Sequence, residues 1–142
     1  MQRIMVATDG SESADRAVDV AAELAKALGG NLLIVTIGGS LSGEEIRQIE
    51  RANENVGDVL DALSTSTLMA ARERASRKGL SAIEVHSGWG DPAETIIEIA
   101  RRDRIDAVVL GRRGRGRLAG LLLGSVSQKI ASLAPCAVIV VP

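Results

Sequence analysis

At 142 residues, 46% of them hydrophobic, the chain is long enough for one domain, 1–142, with a core of its own. Its 17 basic and 18 acidic residues leave a net charge of −1, which excludes a strong overall field for nucleic acid or for a membrane surface, and a single cysteine excludes an internal disulfide. No apolar run nears the ~20 residues of a spanning helix, and with no basic-then-apolar leader after Met1 the expected compartment is the cytoplasm.

Residues 3–8 are a mostly apolar run ending at Asp9-Gly10-Ser11, a strand followed by a tight turn. From Ser11, Ala14, Ala17, Val18, Ala21, Ala25 and Leu28 recur at helical spacing until Gly29-Gly30 stops them. Leu32 to Ile37 is a second buried strand, broken at Gly38-Gly39-Ser40. The segment 43–78 is too long for one crossover helix. It divides into a short acidic helix or insertion at 44–55 and a helix of about 20 residues with Val59, Leu60, Leu63, Thr67, Ala70, Ala71 and Ala75 inward. Residues 80–86 make a third strand, a candidate for the sheet edge. Asp91-Pro92-Ala93-Glu94 then starts a helix, with Asp as N-cap, Pro at N1 and Glu at N3, that buries Ala93, Ile96, Ile97 and Ala100.

Strand four is Asp106 to Leu110, a helix from Ser125 carries Val126, Ile130 and Leu133 to Pro135, and Ala137 to Val141 is strand five. With a lone Trp and no Phe or Tyr, the core is built from aliphatic residues. That suits strands buried on both faces. Five strands alternating with four helices predict an open parallel sheet with helices on both faces, a three-layer α/β/α fold.

Between strand four and its helix lies Gly111-Arg-Arg-Gly-Arg-Gly-Arg-Leu-Ala-Gly-Leu-Leu-Leu-Gly-Ser-Val-Ser127. Glycines leave room for a ligand at the main chain, and the following helix offers unpaired N–H groups at the positive end of its dipole. The outline is a phosphate site. It is not a P-loop, since Leu123 and Ser125 flank Gly124 without the required lysine, and Gly111, Gly114 and Gly116 reverse the spacing of a dinucleotide fingerprint. A surface loop with glycines for turns is the bland alternative. Charge is uneven along the chain: residues 111–142 hold four arginines, one lysine and no acid, against six acids and two arginines in 44–61. Anion binding therefore belongs near the C-terminal end. The arginines themselves suit phosphate, solvent or, lacking aromatic neighbours, less readily a nucleic acid.

The pattern Gly111, two residues, Gly114, nine residues, Gly124-Ser125 resembles the ATP-binding signature of the universal stress protein family. The resemblance extends to Ile4-Met-Val-Ala-Thr-Asp-Gly-Ser11, to Gly88-x-x-x-Pro92-Ala-Glu94 and to the strand after Pro135. It implies a Rossmann-like sheet of order 3-2-1-4-5, with strands one and four beside each other at the reversal point where such sheets bind ligands. It also implies an adenine-nucleotide site for ATP, with Mg2+, in a stress-response protein. In that reading Asp9 meets the adenine or ribose end, with Ala7 and Thr8 beside it, and Thr36 lines the base pocket where an apolar residue is usual. Gly111, Gly114 and Gly124 shape the phosphate loop, flanked by Leu110 and Val126; Ser125 and Ser127 offer hydroxyls, and Arg113 stands where a polar or basic residue is common.

An aspartate in a turn is also an ordinary turn former, so Asp9 keeps both readings. His86 and Trp89 have no partners at zinc-ligand spacing, and Cys136 reads as a small buried hydrophobe. No nucleophile and base pair is legible, so the residues argue for a regulatory nucleotide binder with at most slow ATP hydrolysis. The alternatives are an interaction protein without nucleotide and a sensor of another adenine nucleotide such as cAMP. Ala137 to Val141, uncharged and last in the implied strand order, is expected to join a homodimer edge to edge.

Overall fold

In the computed structural model the described residues are 2–38, 43–112 and 123–142. The elements run β1 (Arg3–Ala7), α1 (Glu12–Leu28), β2 (Asn31–Gly38), α2 (Gly43–Arg51), α3 (Val56–Arg77), β3 (Ile83–Trp89), α4 (Pro92–Arg102), β4 (Ala107–Gly111), α5 (Ser125–Leu133) and β5 (Ala137–Val141). The strands form one parallel sheet in the order β3-β2-β1-β4-β5. The architecture is the open α/β sheet expected, with β3 and β5 at its edges.

Alternation along the strands divides the core in two. Ile4, Val6, Leu32, Ile34, Ala107 and Val109 face α1 and α3, while Met5, Leu33, Val35, Val108 and Leu110 face α4 and α5. The central strands have no solvent face, which is why they read as unbroken apolar runs. α1 lies on the sheet through Ala14, Ala17, Ala21, Ala22 and Ala25, small residues that bring its backbone close. Its ends are set locally: Ser11 accepts a hydrogen bond from the Ala14 N–H, and Gly29, at φ +65°, takes the left-handed conformation that closes a helix. At α4 Asp91 accepts from the Glu94 N–H and Pro92 opens the helix, as the sequence predicts.

Four expectations are corrected. The short acidic segment of 43–78 is a helix of its own ahead of the long one, so among the described residues five helices, not four, accompany the five strands. β3 begins at Ile83, not 80, and runs on to Trp89. On α3 the buried residues are Leu68, Ala71 and Ala75, whereas Leu63 is 47% exposed and Ala70 also faces solvent. The buried residues of α3 all lie in its C-terminal half, and the helix packs against β2, β3, α1 and α2. On α5 the inward positions are Ser127 and Ile130, while Val126 and Leu133 point outward. A serine takes the inner face there because its hydroxyl has a backbone partner, described below.

Candidate functional site

The layer of residues at the carboxyl ends of the strands changes character on the side covered by α1 and α3. β1 and β2 pair in register through Ala7 and Val35, and the Thr8 N–H donates to the Val35 carbonyl at 2.9 Å. Thr8 therefore lies beside Thr36, and both are more than nine-tenths buried. One step past the Val6–Val109 pair, the same row reaches Gly111, itself paired with Val141. Where the lower layers are Val and Ile, this layer is Thr, Thr and Gly.

The β1–α1 turn is built from short side-chain bonds. Thr8 Oγ1 accepts from the Gly10 N–H at 3.1 Å and Asp9 Oδ1 accepts from the Ser11 N–H at 2.9 Å. Gly10 sits at φ +81°, where a side chain is strained. Thr8 and Asp9 thus have structural duties whatever ligand they meet, and Ala7 beneath them is half-buried against the α4–α5 side.

On the other side of the row, the two described ends of the glycine loop are tied together. The Arg112 N–H donates to the Val141 carbonyl at 2.6 Å, the Gly124 N–H to the Arg112 carbonyl at 2.8 Å, and the Ser127 hydroxyl to the Gly111 carbonyl at 2.7 Å. Ser127 is therefore a strut in this structure, its hydroxyl proton spent on the backbone. Gly111 is glycine for a packing reason: a Cβ there would strike Ser13 Oγ and lie 2.9 Å from the Ser13 carbonyl carbon and 3.0 Å from the Ala14 nitrogen. Ser13, which sequence reasoning missed, also donates to the Val141 carbonyl at 3.2 Å. Leu110 is buried core. Arg113 and Gly114 lie outside the described residues.

α5 starts differently from α1, α3 and α4. Those three are capped by the side chains of Ser11, Asn55 and Asp91, whereas α5 has Gly124 at its cap, extended at φ −70°, with no side-chain bond. The first intrahelical bond runs from the Gln128 N–H to the Gly124 carbonyl, which leaves the N–H groups of Ser125, Val126 and Ser127 unused by the helix. There is no acid in this first turn, and Ser125 and Val126 are exposed. An anion is the natural partner of such an end.

Other chemistry is thin. Among the described residues no group of three or more His, Cys, Asp or Glu is placed to hold a metal. Burial pushes the Cys136 thiol up, so it is no ready nucleophile. None of the described helices is long and apolar enough to cross a membrane.

Comparison with known proteins agrees with the geometry. The sequence model of the Universal stress protein family matches residues 1–142. A universal stress protein of Thermus aquaticus is 35% identical, over 97% of this chain and 96% of its own, and YxiE of Bacillus subtilis is 31% identical, over 98% and 97%. A universal stress protein solved in complex with cAMP superposes with a TM-score of 0.77 at 31% identity, covering 99% of this chain and 97% of that one. The chain belongs to the Universal stress protein family.

Proposed function

We propose that this protein binds an adenine nucleotide, ATP in the first instance, at the carboxyl ends of β1 and β4. The observation that carries the reading is the start of α5: a glycine cap, three N–H groups the helix does not use, no acid, and a glycine loop whose ends are pinned in front of it. These features suit the phosphates. Gly111, Gly124, Ser125 and Val126 would border them, and Asp9, Thr8 and Thr36 line the same end of the sheet toward the base and ribose. Mg2+ would be held mainly by phosphate oxygens and water, as that ion commonly is. Arg113 and Gly114 are proposed as further phosphate contacts on the family motif alone.

A second reading is a preference for cAMP, favoured by the relative solved with that ligand. A thermal-shift panel of ATP, ADP, AMP and cAMP, each with and without Mg2+, separates the two. A ligand that binds only the folded chain adds about 2.7 kcal/mol of apparent stability at a hundred times its dissociation constant. A rise with ATP and Mg2+ supports the first reading, a rise with cAMP alone the second, and no rise with any of the four overturns both.

We also propose that the protein acts as a regulatory homodimer joined through β5. β5 is an edge strand with no charge along Ala137–Val141, whereas the opposite edge, β3, carries Glu84 and His86.

A further inference from the structure

We infer that Trp89 forms the outer wall of the base subsite, stacking on the purine of the nucleotide proposed above; the inference rests on that reading. Ile83 and Val85 pack into the core beneath α1 and α3, so the alternation of the strand carries Ser87 and Trp89 to the same face. On β2, Leu32 and Ile34 place Thr36 and Gly38 there too. Thr36 pairs with Ser87, and Gly38 with Trp89. The indole is therefore one step beyond Thr36 along the sheet, diagonally across two strands, at roughly the 7 to 8 Å that an aromatic side chain spans.

The seat of the ring is specific. A Cβ on Gly38 would stand 3.1 Å from both Cε3 and Cζ3 of Trp89, so a side chain there would push the ring outward by a few tenths of an ångström, and glycine lets the indole lie close against β2. The strand ends there because Gly90, at φ +115°, turns the chain into the Asp91 cap of α4. One face of the ring is packed while the residue stays 51% exposed. A half-buried aromatic plane with one open face, beside a buried threonine at the ligand-binding end of a parallel sheet, suits a flat heterocycle: its π-face stacks while the threonine hydroxyl reaches a ring nitrogen. The buried core among the described residues contains no aromatic side chain, so the aromatic ring kept at the surface here is not part of the core packing.

The test uses the sole aromatic residue as its own reporter. ATP, AMP and inorganic tripolyphosphate are titrated by calorimetry and, in parallel, by tryptophan emission. Stacking requires that ATP and AMP change the emission with the midpoint seen by calorimetry, and that tripolyphosphate leave it unchanged. Trp89→Ala should weaken ATP and AMP roughly 5- to 150-fold and Trp89→Phe by no more than about threefold, with tripolyphosphate unaffected by either. Calorimetric binding of ATP with unchanged emission, or with equal affinity in Trp89→Ala, overturns the stacking role and leaves nucleotide binding standing. Absence of calorimetric binding for every adenine nucleotide overturns the nucleotide reading and this inference together. The wild-type emission readout decides the matter even if Trp89→Ala does not fold.

Discussion

Two glycines of the same loop motif are glycines for different reasons. At Gly111 a side chain would run into the first turn of α1, so Gly111→Ala is expected to destabilise by about 1 to 3 kcal/mol, the cost of overpacking a fixed contact, in chemical denaturation. At Gly124 the backbone is extended and a side chain fits its torsions, so Gly124→Val should cost less than about 1 kcal/mol of stability yet remove nucleotide binding by blocking the approach to α5. Wild-type affinity in that folded variant would sink the phosphate site. Asp9 needs a pair of variants because it already holds the Ser11 N–H. Asp9→Asn keeps an acceptor for that bond, and Asp9→Ala does not. If Asp9 meets the ligand as an anion, both should weaken binding, the alanine by about 1 to 3 kcal/mol. An unchanged dissociation constant in both makes it a turn residue only.

Between elements, α1 and α3 are joined by a two-pronged ion pair, with Arg74 Nε and Nη2 each 2.8 Å from the two carboxylate oxygens of Asp19. The hydrogen bond from Arg74 holds the Asp19 carboxyl below its usual range. Asp106 joins β4 to β1 by accepting the N–H groups of Arg3 and Gln2 at 2.9 and 2.8 Å, and those bonds lower its pKa in the same sense. A carboxylate whose pKa is depressed by folding contributes stability above its unfolded value and loses it as pH falls through the folded value. Urea titrations should therefore give a plateau near neutrality and a decline beginning below about pH 4 to 5. Since Arg74 is 40% exposed and screened, Arg74→Ala should cost no more than about 1 kcal/mol at pH 7 and progressively less in acid. A cost that does not change with pH would mean that the arginine acts by packing its stem.

For the whole molecule the open question of assembly turns on the β5 edge. Its outward backbone groups offer a template for a second chain, and an antiparallel pair about a two-fold axis would satisfy them. Sedimentation at micromolar concentration should show a dimer, and Ile139→Lys or Val140→Lys should shift it toward monomer. A wild-type monomer under those conditions would refute the edge pairing. Because β5 adjoins β4, whose end Gly111 opens the loop, the lysine variants also ask whether assembly affects the nucleotide site.

What the sequence determined by itself was local. Caps such as Ser11 and Asp91-Pro92, the stop at Gly29, and apolar runs bounded by glycine are short-range signals, and each element they announce is present. The start of the helix after Gly124 was legible for the same reason. What pattern could not supply was anything set by residues distant in the chain. The strand order came only with the family resemblance, because pairing of β1 with β4 joins residues a hundred positions apart. The inward turn of Ser127 defied its polarity because its hydroxyl donates to the half-buried carbonyl of Gly111. The overhang of α3 left Leu63 in solvent because the sheet ends before the helix does. The place of Trp89 over Gly38 depends on the register of two strands 51 residues apart, and register is fixed only when both faces of the sheet find their helices.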